Sequence, residues 1–325
     1  MAKLVKFIGI DISKETFSFA KRENGKIITG ESPNTLEAIA DFMLTLDADT
    51  ICVMEATGVY HTKLSYSLHK NGFKVAVLNP LTAKNYARMQ MKRTKTDKSD
   101  SKLILDYAET IGVSLWSPKP KYCIDIQQYL TLQEAINKQI VMFVGQLEAL
   151  ENSFHQNADC IKYCHDMISI LSEDLKNIES KIMELVTLND KENFSRLTSI
   201  PGLGKKTACL LIALTQSFKN FENYKQVMSY FGLCPRIYQS GTSINGKAKI
   251  CKIGFKNIRK MLYMCAVSAK VHNDKCKDLY DRLVEKGKAK KLALIAVANK
   301  LVKQSFSLIK NKQFFQKNYV QKFGN

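Results

Sequence analysis

The first 115 residues alternate between two hydrophobic periodicities, and this alternation limits the possible folds more than any other feature of the chain. Three stretches, LVKFIGIDI, TFSFAKR and KIITGE, have the buried or alternating pattern of β-strands, with short turns between them. A helix beginning at Asn34 follows, then the strand TICVMEA, a helix that ends at Gly72, and the strand KVAVLNP. Two more helices are predicted, from about Leu81 and from Asp97. We therefore expect a hairpin sheet that is extended by parallel strands.

This order of elements matches a ribonuclease-H-like α/β core, which we assign to residues 1–115. The Pro-rich stretch WSPKPKY begins the next region, and residues 116–190 are predicted as a linker and a helical arm. Between Ile124 and Leu188 apolar residues recur at helical spacing, with a break near Asn157. This pattern fits a helical hairpin or a coiled-coil arm, either of which could dimerise, and it fits two ordinary packed helices equally well.

Residues 191–325 are predicted as a third region that is mostly α-helical. Within it, SIPGLGKKTA lies between two helical patterns and resembles the hairpin of helix-hairpin-helix DNA-binding modules. Gly202 and Gly204 would allow a tight turn, and Lys205 with the next helix N-terminus would bind a phosphate. A purely structural turn between two helices is the alternative.

The positive charge of the chain is concentrated in its last quarter. The whole chain has 49 Lys and Arg against 30 Asp and Glu, and residues 241–325 contain 20 of the former against 4 of the latter. Because neutralising phosphates releases counterions and drives binding, this excess predicts a nucleic-acid partner, with a solvated basic face as the alternative. The sequence shows no secretory signal and no long uninterrupted apolar run, and nine scattered cysteines suit a reducing compartment. A cytoplasmic protein without a membrane partner is expected.

Four acidic residues are placed where they could meet. Asp11 ends the first strand and Glu55 ends the fourth, and these strands are neighbours in the predicted sheet. Asp97 and Asp100 begin a helix and share one of its faces. At about 5 Å and an effective dielectric near 20, each like-charge pair repels by roughly 3 kcal/mol, so a cation among them is expected, and all-oxygen ligands favour Mg²⁺. Helix capping could explain Asp97 and Asp100, but it does not account for the other two acids.

A basic run surrounds the second pair of acids. We expect its side chains to bind the phosphate chain on which the metal acts, although a basic run without such a role is the alternative. The candidate phosphate-binding residues are Lys92, Arg93, Lys95 and Lys98.

Several segments together resemble the insertion-sequence transposases of the DEDD type, and the resemblance covers nearly the whole chain. These segments are GIDISKETF with Asp11, VMEATGVYH with Glu55, NPLTAKNYAR, KTDKSDSKLI with Asp97 and Asp100, SIPGLGKKTA, and YFGLCPRIYQSGTSINGKAKICKIGFKNIRKMLYMCA. The family has a RuvC-like N-terminal domain and a serine-bearing C-terminal transposase domain. The resemblance therefore implies a DNA recombinase.

The resemblance also implies specific roles. The four acids would bind Mg²⁺, and a serine of the C-terminal domain would attack the phosphodiester. The family's serine lies in a Ser-Gly step after a Gly-Leu-x-Pro turn, which corresponds to Ser240, with the nearby Ser243 as the alternative. A bridge RNA would pair with donor and target DNA, and a homo-oligomer, either dimer or tetramer, is expected. The residues expected to grip DNA or RNA are Lys247, Lys249, Lys252, Lys256 and Arg259.

Two other functions stay open at this point. The first is a metal nuclease that cuts DNA junctions with water as the nucleophile, and a covalent protein–DNA adduct would distinguish the recombinase from it. The second is a basic nucleic-acid scaffold without turnover, which Mg²⁺-dependent strand cleavage would exclude. The complete set of four acids argues against the scaffold.

Overall fold

A computed structural model describes residues 6–91, 96–236 and 250–317, together with the backbone of three short stretches at 239–240, 244–245 and 249. The chain divides into two compact units, and the boundary in the sequence lies between Pro118 and Lys119. The first unit is a mixed α/β domain, and the second is mostly helical. The fold class predicted from the sequence is confirmed.

The first unit is built on a five-stranded sheet of order β3-β2-β1-β4-β5. Its first three strands are antiparallel, whereas β4 and β5 run parallel to β1. The described part of this unit also contains four helices, in the predicted order. The elements are β1 Phe7–Ile12, β2 Thr16–Glu23, β3 Lys26–Pro33, α1 Leu36–Leu44, β4 Ile51–Glu55, α2 His61–Lys70, β5 Lys74–Leu78, α3 Pro80–Met89 and α4 Asp97–Ile111.

The two faces of this sheet bury different side chains. Ile10 of β1 and Met54 of β4 pack with α1 and α2, through Ile39 and Leu64 among others. On the other face, Val53 of β4 packs with α4. Successive strand residues point to opposite faces, so this alternation assigns a face to every residue of β1 and β4. The position of α4 opposite α1 and α2 is what matters for the site described below.

Helix α1 begins later than the sequence predicted. The N-cap is Thr35, whose Oγ1 accepts a hydrogen bond from the backbone nitrogen of Ala38 at 3.3 Å. Asn34, which was predicted to open this helix, is instead buried, with 3% of its surface exposed. Both residues are good caps, and the tertiary contacts of Asn34 decide between them.

The second unit begins with two long helices that pack against each other in antiparallel orientation, with Nε2 of Gln133 donating to Oε1 of Glu179 at 2.7 Å. Asn157 lies at the break and caps the second helix, because its Oδ1 accepts from the backbone nitrogens of Asp159 and Cys160. That helix extends to Thr198, but non-helical dihedral angles at Asp190 divide it into two segments, at the residue where the predicted arm ends. The helices of this unit are α5 Lys121–Glu151, α6 Ala158–Thr198, α7 Lys205–Thr215, α8 Tyr224–Phe231, α9 Lys256–His272, α10 Asp274–Glu285 and α11 Lys290–Lys310.

Helix α11 is long and apolar enough to cross a membrane by length and composition, and within the described residues it is the only such helix. In this fold it lies in the core of the second unit. Val297, Ala298 and Leu301 are fully buried there and join one hydrophobic cluster with α6, α7 and α9. Its apolar composition is therefore explained by packing.

Candidate active site

Asp11 and Glu55 lie side by side at the carboxyl end of the sheet. The last paired residues of the parallel strands β1 and β4 are Ile10 and Met54, and the two acids each follow by one residue. Neighbouring strands are about 4.8 Å apart, so the two carboxylates begin from adjacent positions. Ile10 and Met54 face α1 and α2, and the alternation of side chains therefore directs both acids to the side of α4.

Helix α4 lies directly on β1 because residue 9 has no side chain. A Cβ atom on Gly9 would lie 2.3 Å from the backbone nitrogen of Leu105 and 2.3 Å from the carbonyl oxygen of Ser101. Those distances are far below any tolerated contact, so another residue here would push the helix away. Gly9 was not among the residues predicted from the sequence, although an isolated glycine inside a buried strand signals a close backbone approach.

The cap of α4 is made by residues other than its aspartates. Thr96 is the N-cap, and its Oγ1 accepts from the backbone nitrogen of Ser99 at 3.2 Å. The hydroxyl oxygen of Ser99 in turn accepts from the backbone nitrogen of Thr96 at 2.9 Å, which completes a capping box. The alternative in which Asp97 is the N-cap is therefore wrong. Asp97 and Asp100 occupy the first helical turn, where the helix dipole favours an anion, but neither is needed for the cap.

The pKa of Asp11 shows that the four acids are electrostatically coupled. Burial of the carboxyl group is the largest cause of its shift, and repulsion from Asp100, Asp97 and Glu55 adds to it. Together they raise the pKa of Asp11 from 3.8 to about 6. Neighbouring negative charges disfavour ionisation of a carboxyl group, so the named acids must lie near it. The structure thus brings all four predicted residues to one edge of the first unit.

The convergence is looser than a finished coordination shell. Within the described part of the chain, no three His, Cys, Asp or Glu side chains are close enough together to hold one ion. Charge repulsion acts over several ångström, whereas oxygen ligands lie at about 2.0–2.6 Å from a metal. Carboxylates can therefore raise each other's pKa without being close enough to bind the same ion. The four acids are thus near one another but farther apart than the ligands of a single bound ion. The donor set itself, four carboxylates, fits a hard divalent cation.

Asn34 joins the two loops that follow the acid-bearing strands, and the sequence analysis gave it no such role. Its side-chain amide donates to the carbonyl oxygen of Ser13, beyond β1, at 3.1 Å and to that of Tyr60, beyond β4, at 3.2 Å. Its Oδ1 is buried and has no hydrogen-bond partner among the described residues. This bridge holds the segments after Asp11 and Glu55 at a fixed separation.

The predicted phosphate-binding residues beside the acids are only partly described. Lys98 is exposed in the first turn of α4, next to Asp97. The other three, Lys92, Arg93 and Lys95, lie outside the described residues.

The predicted nucleophile lies in the second unit. Ser240 belongs to a short strand, Gln239–Ser240, which pairs antiparallel with Ile244–Asn245. The side chains of Ser240 and Lys249 are outside the described part of the structure, as are Ser243 and Lys247 altogether. Their roles stay predictions.

The remaining predicted nucleic-acid contacts divide by exposure. Lys252 and Lys256 are exposed near the start of α9. Arg259 is half-buried, and its Nη1 donates to the carbonyl oxygen of Phe231 at the end of α8, at 2.9 Å. This guanidinium therefore has a structural contact, and its predicted contact with nucleic acid stays a prediction.

The turn before α7 has a structural use that the sequence left open. Gly202 has a φ of +91°, and a Cβ there would lie within 2.6 Å of the backbone and side chain of Ala269 in α9. Position 202 therefore requires glycine, because any side chain there would collide with α9. Gly204 and Lys205 are exposed, with Gly204 as the N-cap of α7, so a phosphate could approach them, and that role remains a prediction.

Comparison with known proteins gives matches over both units. Residues 8–154 match a transposase family of the DEDD, IS110 type, and residues 194–281 match a family described as transposase IS116/IS110/IS902. A pilin gene-inverting protein of Moraxella lacunata is 31% identical over 320 residues, which cover 96% of this chain and 98% of that protein. The transposase for insertion sequence element IS1328 of Yersinia enterocolitica is 22% identical over 290 residues, covering 81% and 83%.

Proposed function

Since the chain belongs to the IS110 family of transposases, which recombine DNA, we propose that Ser240 is its nucleophile and that Asp11, Glu55, Asp97 and Asp100 hold Mg²⁺. The observation that carries the metal proposal is the convergence of the four carboxylates, expressed in the raised pKa of Asp11. A bound Mg²⁺ would stabilise the negative charge that develops on the phosphoryl group. The carboxylates would position the scissile phosphate through it.

The serine would form a covalent intermediate. Its oxygen would bond to phosphorus while the oxygen of the departing strand leaves, and a hydroxyl of another strand would later reverse the step. The bond energy is kept in the phosphoserine, so rejoining requires no external energy source. The C-terminal motif between Tyr230 and Ala266 contains no His that could act as a base, so the acid-bearing site would have to supply the activation.

The two parts of the proposed machinery lie in different units. The acids belong to the first unit and Ser240 to the second. Catalysis therefore requires them to meet, within one chain or between chains of a homo-oligomer, and we propose a dimer or tetramer. The basic residues 241–325 would hold donor and target DNA and a bridge RNA, and we propose a cytoplasmic protein.

The experiment is a search for a covalent adduct between DNA and protein. The wild type is incubated with Mg²⁺, labelled donor and target DNA, and the non-coding RNA encoded beside its gene. It should give a covalent adduct on a denaturing gel. Ser240→Ala should give neither adduct nor product, and Ser243→Ala is the matched control that should retain both. Both variants should bind DNA normally, because no charge is changed.

Each result decides between the candidates. Cleavage without an adduct in the wild type would favour water as the nucleophile and the junction-nuclease function. An adduct that persists in Ser240→Ala but disappears in Ser243→Ala would assign the reaction to the other serine. Absence of any Mg²⁺-dependent cleavage would support the scaffold function.

A further inference from the structure

A cavity of about 320 Å³ lies in the second unit, between α10, α11 and the segment that follows α11. Its lining combines lysines, amide side chains and two aromatic rings, and contains no acidic residue among those described. Its lining residues include Lys300, Lys303, Gln304, Phe314 and Phe315. None of them is among the individual residues predicted above for the active site or for nucleic-acid contacts, although all lie within the basic region 241–325.

The aromatic wall of the cavity is held in place by the core. After α11 the chain turns back, with the backbone nitrogen of Gln313 donating to the carbonyl oxygen of Leu308 at 2.9 Å. The backbone nitrogen of Phe315 donates to the hydroxyl of Ser199 at 3.0 Å. These bonds fix a segment that carries Phe314, a residue that is 54% exposed and whose ring centroid lies 6.0 Å from Cζ of Arg196, which leaves the other face of the ring for a base. The wall is therefore preformed.

The polar side of the cavity offers donors. Lys300 and Lys303 are one helical turn apart on α11. Neither forms a salt bridge within the described residues, and the Lys303 ammonium lies 5.2 Å from the centroid of the Tyr224 ring. The carbonyl oxygen of Gln304 accepts from the side-chain amide of Asn273 at 3.3 Å, which leaves the Gln304 amide hydrogens to donate elsewhere. Like charges at this spacing repel each other, so an anion in the cavity would relieve them.

Cations and an exposed ring together indicate one class of ligand. Phosphate is the anion that lysines bind as point charges, and planar bases stack on aromatic side chains. A volume near the lower end of the roughly 300–1,000 Å³ range of ligand pockets suits one nucleotide and excludes a duplex. We propose that this cavity binds a single unpaired nucleotide of a DNA or RNA strand, with its phosphate on the lysines and its base against Phe314. The inference rests on the nucleic-acid substrate of the proposed function, but on neither the metal nor the serine.

The lysines are tested by the salt dependence of binding. Fluorescence anisotropy with labelled (dT)₁₂ and (rU)₁₂ in EDTA gives the Kd at several salt concentrations. In Lys300→Gln/Lys303→Gln, the slope of log Kd against log salt should fall by about 1.4, or about 0.7 for each phosphate contact with a single strand. The control pair Lys162→Gln/Lys191→Gln removes the same charge from exposed positions of α6, outside the basic residues 241–325, and its slope should stay near that of the wild type. Equal slopes in the two pairs would overturn the site, since bulk charge would then explain binding.

The ring is tested separately from the charges. Phe314→Leu keeps an apolar side chain but cannot stack, and it should weaken binding about tenfold, whereas Phe314→Trp should restore it. Unchanged binding in Phe314→Leu would overturn the base contact, as would competition by inorganic phosphate as strong as that by a mononucleotide. A preference for (dT)₁₂ or (rU)₁₂ would identify the strand as DNA or RNA. Should Phe314→Leu unfold, by loss of its thermal transition, Phe314→Trp and the lysine pair decide the question.

Failure of this inference is distinguishable from failure of the proposed function. Asp100→Asn should bind both oligonucleotides as the wild type does while exchanging no strands. The lysine pair should show weakened oligonucleotide binding even in EDTA, where the metal chemistry is absent. Normal oligonucleotide binding by the lysine pair would overturn the cavity while leaving the proposed function intact.

Discussion

Gly9 and Leu105 are so close that a single added carbon on Gly9 would lie 2.3 Å from the backbone nitrogen of Leu105. This contact sets the distance between β1 and α4, and therefore between the strand that carries Asp11 and the helix whose first turn carries Asp97 and Asp100. Gly9 has no side chain that could take part in the reaction. Its missing Cβ nevertheless determines whether Asp97 and Asp100 lie close enough to Asp11 to interact electrostatically.

Gly9→Ala should separate the acids. The added methyl group must displace α4, which costs about 1–3 kcal/mol in the free energy of unfolding. Mg²⁺-dependent cleavage should fall by far more than this loss of stability explains at a temperature where the variant is folded. Urea unfolding and a cleavage assay on the same preparation measure both effects.

Gly145→Ala is the matched control for that substitution. Nothing lies within 4 Å of a Cβ at Gly145, which is inside α5, so alanine should stabilise the helix by up to about 1 kcal/mol and leave cleavage unchanged. Full activity in Gly9→Ala would show that the separation of α4 from β1 does not matter for catalysis.

Asp100→Asn should abolish Mg²⁺-dependent cleavage and leave the fold intact. Asparagine keeps the shape but loses the charge of a proposed ligand, and the cap of α4 depends on Thr96 and Ser99 instead. Thr96→Ala should do the opposite, with a loss of about 1 kcal/mol in stability and retained cleavage. Thermal unfolding and cleavage of labelled DNA separate the two. Retained cleavage with a large loss of stability in Asp100→Asn would return the aspartate to a structural role.

The raised pKa of Asp11 predicts how stability depends on pH without metal. Folded Asp11 holds its proton up to about pH 6, whereas the unfolded chain releases it near 3.8, so between these values the folded state binds more protons. The free energy of unfolding should therefore fall as the pH rises through this window, by at most ~3 kcal/mol. In EDTA, Asp11→Asn should match the wild type near pH 3.5 and be more stable than it at pH 7.5.

Added Mg²⁺ should make the wild type more stable than Asp11→Asn, the reverse of the order expected in EDTA. At pH 7.5 the ion should raise the thermal midpoint of the wild type and have little effect on Asp11→Asn, because the variant lacks one of the charges that bind it. Urea unfolding in EDTA and thermal unfolding with added Mg²⁺ are the two measurements. An Asp11→Asn protein less stable than the wild type at pH 7.5 in EDTA would show that the carboxylate is stabilised by its surroundings.

DNA affinity should fall steeply with salt. If six to ten phosphates are contacted, affinity should drop by about 10³–10⁵ between 50 and 200 mM salt. Truncation of residues 241–325 is a poor test, because α9 and α11 supply much of the hydrophobic core of the second unit. Lys252→Gln/Lys256→Gln should instead lower the slope by about 1.8 with duplex DNA. The control Lys162→Gln/Lys191→Gln removes two exposed charges from α6 and should leave the slope unchanged, and equal slopes in the two pairs would place the binding face elsewhere.

The sequence by itself determined the elements and their order, because their signals are local. The alternation in β1 and the helical spacing in α5 and α6 depend on residues a few positions apart, and each predicted the correct element. Asp11 and Glu55 could be assigned to one sheet edge for the same reason, since parallel neighbouring strands end together.

The tertiary structure decided what depends on contacts between distant residues. The capping residue of α1 is Thr35 because Asn34 is required between Ser13 and Tyr60, and no local pattern reports those partners. The place of α4 depends on a missing Cβ at Gly9, 96 positions before Leu105. Both features depend on packing between residues that are far apart in the sequence. Several local arrangements are about equally favourable, and only the contacts of the folded chain select one of them.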